Sequence, residues 1–376
     1  MSTFKRLLNL ALPHKWWMLL AAFIGFLTVG SSVGLLMTSA FIIAKAALHP
    51  SVAELQVAIV GVRFFGISRG LFRYLARLVS HNVTFKLLAQ FRVWFYRAIE
   101  PLAPARLQQY KSGDLLARVV SDINTLENFY IRVLAPPLVA ILVSLLMWFL
   151  FGMYSIGFSL ILLAFLAMAG IGIPLLTLRL GRGLGKQVVQ LNSELSILTV
   201  ESVQGLPELL MFGQTEKHQQ QMEHLNRSLV RLQQRQAVLF SLHETLIGLL
   251  MNAAVLAIFL IAVPKIGAGA LDGIALAVLA LGTMAAFEAV MPLPATALYL
   301  EESLRAAERL FDITDTEPAV TPPSKPAPPL SSFDIRFDNV SFAYEPHLSV
   351  LEKFNLNLPQ GEHLLVTGLS GVGKTT

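Results

Sequence analysis

The chain alternates long apolar runs with long polar ones, on a scale set by a lipid bilayer. A membrane helix needs about 20 mostly apolar residues. Six stretches qualify, at 16–44, 53–78, 131–152, 156–178, 240–263 and 271–291. Trp16 to Ala44 holds no charged side chain and is too long for the apolar core of a cleavable signal. The second stretch is the poorest, because it contains Arg63, Arg69 and Arg73. It is kept as a span because its helical pattern continues to about Glu100, and because an odd number of spans breaks the charge topology. Residues 1–15 carry Lys5 and Arg6 among leucines and read as a short helix lying on the membrane surface.

The polar runs supply the direction. With the N-terminus inside, the outer loops hold only Lys45 and Lys265. The inner segments hold eight Lys or Arg from Arg77 to Arg132 and seven from Arg179 to Arg235. This positive-inside bias puts both termini in the cytoplasm of a multi-pass protein. Residues 79–130 and 179–239 are helical in pattern, so spans two to five extend beyond the bilayer. Each extension is broken once, at 101–113 and at Gly205–Gly213. The breaks delimit two hairpin tips. Asp114, Arg118 and Asp122 mark the first, and Gly205, Glu208 and Phe212 the second, as candidate coupling residues toward a motor domain. Residues 16–313 thus form a helical membrane domain.

Beyond it the character changes. Six prolines fall between Thr316 and Ser332, which makes 314–332 a semi-extended linker. Residues 333–376 turn to strands, expected at 333–338, 340–344 and 363–367. The last feeds a Gly-rich turn. Gly368, Leu369, Ser370, Gly371, Val372, Gly373, Lys374 and Thr375 fit G-x-x-x-x-G-K-[ST] at every fixed position. The glycines let backbone N–H groups, Thr376 included, wrap phosphate; Lys374 would reach the β/γ-phosphates, and the Thr375 hydroxyl would ligate Mg2+. Tyr344 is placed to stack on adenine. ATP and Mg2+ are therefore the expected cofactors. The expected fold class is an α-helical polytopic membrane protein followed by the start of an α/β P-loop ATPase domain.

Composition narrows the chemistry. Only 14% of the 376 residues are charged, against about 25% in soluble domains. The net charge of +5 suits cationic inner loops and does not call for nucleic acid. With no cysteine, disulfides, Cys-zinc sites and Cys nucleophiles are excluded.

Six spans, two tips, a linker, a Tyr-bearing strand and this loop resemble an ABC exporter half-transporter of the type IV exporter fold. Arg73–His81, Gly113–Leu126 and Ala285–Ala289 carry the resemblance further, to the heterodimeric CydDC branch of bacterial inner membranes. It implies an ATPase-coupled exporter of reduced thiols, glutathione or cysteine, that also binds haem and supports cytochrome assembly. The implied partner is a CydD-like half-transporter. It also implies that the remaining ATPase motifs lie outside these residues, which alone would not hydrolyse ATP.

The second span speaks to cargo. Arg69, Arg73, Arg77 and His81 recur every four residues, one helical turn apart on one face. A rise of 1.5 Å per residue puts Arg63 roughly 17 Å deep if the helix starts near Val52. A mid-bilayer arginine costs about 2.5–3.5 kcal/mol, so this face turns from lipid. Glu288 is the main acid within the spans able to meet it, with Glu54 near the outer edge. Three roles are open: structural bridging, a basic stripe for an anionic cargo, or haem held by His81 with Arg77 at a propionate. A lipid or drug exporter is the rival within transport, and a haem or redox sensor the rival outside it.

Overall fold

A computed structural model describes residues 3–103, 106–107, 118–181, 183–318, 332–345, 348–369 and 374–375. The chain divides into two units, Met1–Phe95 with Leu116–Asp312, and Tyr96–Leu115 with Ile313–Thr376. Among the described residues six helices are long and apolar enough to cross a membrane.

The first unit is built of helices. α1 (Thr3–Ala11) leads into α2 (Lys15–Ala46) and α3 (Val52–Ile99). Widened π turns at Arg118–Asp122 and Phe129–Leu134 precede α4 (Ala135–Gly152). α5 (Ile156–Ala167) and α6 (Ile173–Leu180) are joined by a third, at Met168–Gly172. α7 (Leu184–Gln204), the short α8 (Leu206–Met211) and α9 (Thr215–Gly267) form a long hairpin. α10 (Gly273–Ala286) and α11 (Leu293–Thr314) complete the bundle.

Lipid tails are as apolar as leucine, so helices in a bilayer associate through close packing. Small residues let α2 approach its neighbours. A Cβ on Gly282 of α10 would lie 3.1 Å from Met37 and 3.2 Å from Phe151. One on Gly34 would lie 2.6 Å from the Phe65 ring. Met147, Phe151, Phe158 and Leu162 are fully buried in the core that results. Tyr130, also fully buried, donates its hydroxyl to the Met18 carbonyl oxygen at 2.7 Å.

α1 turns Leu7 and Ala11 into the protein, and Arg6 lies 3.9 Å over the Phe311 ring. Gln90 ties its end by donating to the Leu10 carbonyl oxygen at 2.8 Å. The side of α1 that carries Leu7 and Ala11 thus packs on protein.

The sixth span is interrupted, which its hydropathy hid. Pro292 has no N–H to give to the Glu288 carbonyl, so the α-helical ladder fails there. A 3-10 turn, Phe287–Ala289, takes its place, with Val290 N–H bonded to the Phe287 carbonyl at 3.1 Å.

α3 is the exception to close packing. Of its apolar window only 6% is buried, against 56% for the sixth span. Val57, Phe64, Ile67 and Leu71 are exposed, whereas Val83, Leu87, Phe91 and Phe95 further along are buried.

In the second unit, Arg106 Nε donates to the Glu317 carbonyl at 3.2 Å. β1 (Ile335–Glu345) pairs antiparallel with β2 (Leu348–Leu358), from Ile335 opposite Leu358 to Glu345 opposite Leu348. β1 joins two strands expected separately, through an irregular step at Asn339, whose φ is 52°. Asn339 N–H finds Asn355 Oδ1 at 2.7 Å there. β2 was not anticipated, although its alternation at Phe354, Leu356 and Leu358 is a strand signal.

The strand expected at 363–367 does not form. Leu364, Leu365 and Val366 are exposed, and no described strand pairs with them. An apolar strand of this kind is stable only when paired at its edges and covered on its faces. Most of the linker, 319–331, lies outside the described residues.

Replacing Gly282 by Leu should overpack the α2–α10 contact and cost about 1–3 kcal/mol, read as a lower Tm in detergent. Hydrogen bonds from Ser332 Oγ and the Gln360 N–H hold the Asp334 carboxyl below the usual carboxylate range. Its contribution to the hairpin is therefore present above that range and lost as pH falls through its own lower value. The protection of the Gln360 amide, its exchange taken relative to the intrinsic rate at each pH, should fall on that acid side, and Asp334→Asn should remove that step.

Candidate functional site

The basic face of α3 meets one acid. Arg69 and Arg73, one turn apart, place Nη2 atoms 4.0 Å and 3.6 Å from the same Glu288 oxygen. Glu288 is delivered by the 3-10 turn that Pro292 enforces. All three side chains are more than a third exposed, so each pair contributes at most about 1 kcal/mol. Two guanidiniums on one carboxylate leave one positive charge over. Arg69 Nε is also buried with no hydrogen-bond partner among the described residues. The cluster therefore retains a positive charge that a carboxylate can take up.

The rest of the basic face does not join it. Arg63 and Arg77 are exposed and form no ion pair among the described residues. His81 is exposed, its ring stacked on Phe85 at 6.2 Å between centroids. Glu54 pairs instead with Lys45, at 3.8 Å.

The Gly-rich loop expected to bind phosphate is described in part. Ser370, Gly371, Val372, Gly373 and Thr376 lie outside the described residues, as does the Tyr344 side chain, though Tyr344 itself falls in β1. Lys374 Nζ donates to the Gly368 and Leu369 carbonyl oxygens, at 2.8 Å and 2.7 Å. Thr375 is exposed beside it.

The two tips differ. Asp114 lies outside the described residues. Asp122 is buried and takes a two-point contact from Arg309 on α11, with Nε to Oδ2 at 2.9 Å. Arg118 Nη1 donates to the Arg309 carbonyl at 2.7 Å. Both expected coupling residues thus hold the start of span three to the last helix. At the second tip, Gly205 opens α8 and Gly213 closes it with φ 61°, in the left-handed region that favours glycine. Between them Glu208 is exposed, as are Leu210, Met211 and Phe212, a short apolar ridge.

The family of the ABC transporter transmembrane region matches residues 16–287. The chain belongs to the ABC transporters. Its curated relatives include a glutathione/L-cysteine transport system ATP-binding/permease protein, CydC, of Escherichia coli, 31% identical over 96% of this chain and 64% of the relative. CydC of Haemophilus influenzae is 30% identical with the same coverage. CydD of Bacillus subtilis, of the same transport system, is 25% identical over 95% of this chain and 62% of the relative. The chain thus spans just under two thirds of the length of these relatives.

Within this ABC transporter chain, sequence reasoning missed three groups. Arg309 and Arg305, the latter bonded to Glu301 at 2.5 Å, sit on a helix that reads as ordinary charged surface. His243 is buried and lies 2.7 Å from Thr177 Oγ1. It is a histidine inside an expected span, which is itself a signal of function. That signal was read only on span two.

Asp122→Ala should leave Arg309 without its carboxylate and cost about 1–3 kcal/mol, since Arg309 is half-exposed and water screens the loss. A denaturation midpoint in detergent measures it, and Asp122→Asn should recover part.

Proposed function

We propose that this chain is one half of a heterodimeric, ATP-driven exporter that moves reduced thiols of the glutathione or cysteine class outward across a bacterial inner membrane. Its partner is a CydD-like half-transporter, and both termini lie in the cytoplasm. Residues 16–313 are the membrane domain, 314–332 the linker, and 333–376 the opening of the ATPase domain. The transport system named for the relatives supports this reading. The observation that carries it is the Arg69–Arg73–Glu288 cluster, with one positive charge over, on the flank of α3 that the chain leaves open. A thiol peptide with surplus carboxylate supplies what that cluster lacks. A lipid or drug cargo does not, because its body is mostly apolar.

Bound ATP supplies the phosphoanhydride whose cleavage drives the cycle. The donor set fits it: Lys374, now bonded to the carbonyl oxygens of Gly368 and Leu369, would hold phosphate oxygens instead, and the Thr375 hydroxyl would hold Mg2+. The apolar ridge of α8, ending at Phe212, passes closure of the motor domains to α7 and α9. Haem fits less well. His81 is exposed and lines neither described cavity, so no step is assigned to haem.

Inverted vesicles holding the full-length chain and its partner should take up reduced glutathione when ATP is added. Lys374→Ala should abolish uptake. Arg73→Ala should raise KM about tenfold, the loss of one charge-assisted bond, with kcat little changed. Absence of ATP-dependent uptake, or an Arg69→Ala/Arg73→Ala pair with wild-type KM, would overturn the assignment.

A further inference from the structure

The surface helix α1 carries two apolar rows. Leu7 and Ala11 are buried against protein. Phe4, Leu8 and Leu12 recur every four residues and make the second row, which continues into the turn after the helix. This row is not closed over. It lines a groove of about 540 Å³ in the first unit, and Leu12 is 46% exposed. Leu134, Pro137 and Leu138, where span three begins, line the same groove, as does Leu300 of α11. The volume is in the usual range for sites that take a small molecule.

The groove sits at a membrane boundary. Lys15 lines it and opens α2, and the next two residues, Trp16 and Trp17, are exposed. Lys86 lies 4.4 Å over the Trp17 ring. Tryptophan collects at the level of the lipid headgroups. Lys15 is therefore at headgroup level, whereas Met18 and Leu19, one turn further into the span, line the groove at the level of the acyl chains.

The lining has one charge. Lys15 is exposed and forms no ion pair among the described residues, and no acid lines the groove. Thr296 is the other polar side chain in the wall. Water finds too few partners in such a wall to be held there. A non-helical protein segment would bring N–H and C=O groups that this wall cannot satisfy. A hydrocarbon chain carries no such groups, and the cation beside it calls for an anion at one end of the chain.

We propose that this groove holds one acyl chain of an anionic phospholipid, with the headgroup phosphate against Lys15, in the leaflet on the N-terminal side of the membrane. The lipid fastens the surface helix to spans one, three and six. The site is separate from the Arg69–Arg73–Glu288 cluster and does not rest on the thiol reading.

The test places the full-length chain and its partner in nanodiscs of phosphatidylcholine containing a minor fraction of phosphatidylglycerol with a photoreactive acyl chain. Irradiation and peptide mapping should find adducts within 3–12 and 133–138. A phosphatidylcholine probe with the same reactive chain should label these segments about fivefold less, the effect of one lysine worth about 1 kcal/mol at an anionic lipid. Lys15→Ala, an exposed position, should erase that preference, and Lys15→Arg should keep it. Leu8→Trp should fill the groove and lower labelling by both probes. Glycerophosphoglycerol, the headgroup without chains, should not compete. Equal labelling by the two probes, a preference that survives Lys15→Ala, or competition by the free headgroup would each overturn the proposal. So would segments 3–12 and 133–138 that stay unlabelled yet protected from exchange, since a protein segment of the partner would then fill the groove.

Discussion

A charge placed in an apolar bundle has to meet a counter-charge or reach water, and the second span turns on that constraint. Arg69 and Arg73 make the span costly by composition. Glu288 makes it tolerable, and Glu288 reaches them from a helix that Pro292 has broken. Span two and span six are thus coupled through one carboxylate. The coupling is incomplete, since two cations share one carboxylate, and one positive charge is left over.

Close packing governs the rest of the bundle, and its distribution is uneven. Gly34 brings α2 against Phe65 at a distance no Cβ fits, and Gly282 leaves room for a Cβ only if Met37 or Phe151 gives slightly. The apolar half of α3 is otherwise little buried. A helix that carries a basic face and little buried surface is suited to line a pathway or meet a partner half, because moving it breaks few contacts. Its other end, from Val83 to Phe95, is packed and anchors it.

Polar contacts gather where the helices leave the apolar zone. Arg309 holds Asp122 and, through its carbonyl, Arg118, so the start of span three and the last helix move as one piece. At the second break, α8 exposes Met211, with Phe212 exposed just after it. One extension is braced from within and the other presents an apolar ridge.

Hydropathy and charge alone determined the six spans, their extensions, the interruption at Gly205–Gly213 and the helical membrane class, because bilayer thickness and the cost of bare backbone leave few alternatives. The G-x-x-x-x-G-K-[ST] spacing stands in the sequence alone, since residues 370–373 lie outside the described ones. Pairing was not legible. Glu288 could be named as an available acid, but a periodic pattern carries no information on which helix turns toward which. Arg309 reads as surface until Asp122 is found against it, and His243 reads as core until Thr177 is found beside it. The 363–367 run has the composition of a strand but no strand partner among the described residues, and it stays exposed. Only the tertiary structure decided these points, because hydrogen bonds and ion pairs between distant residues depend on where the backbone brings them.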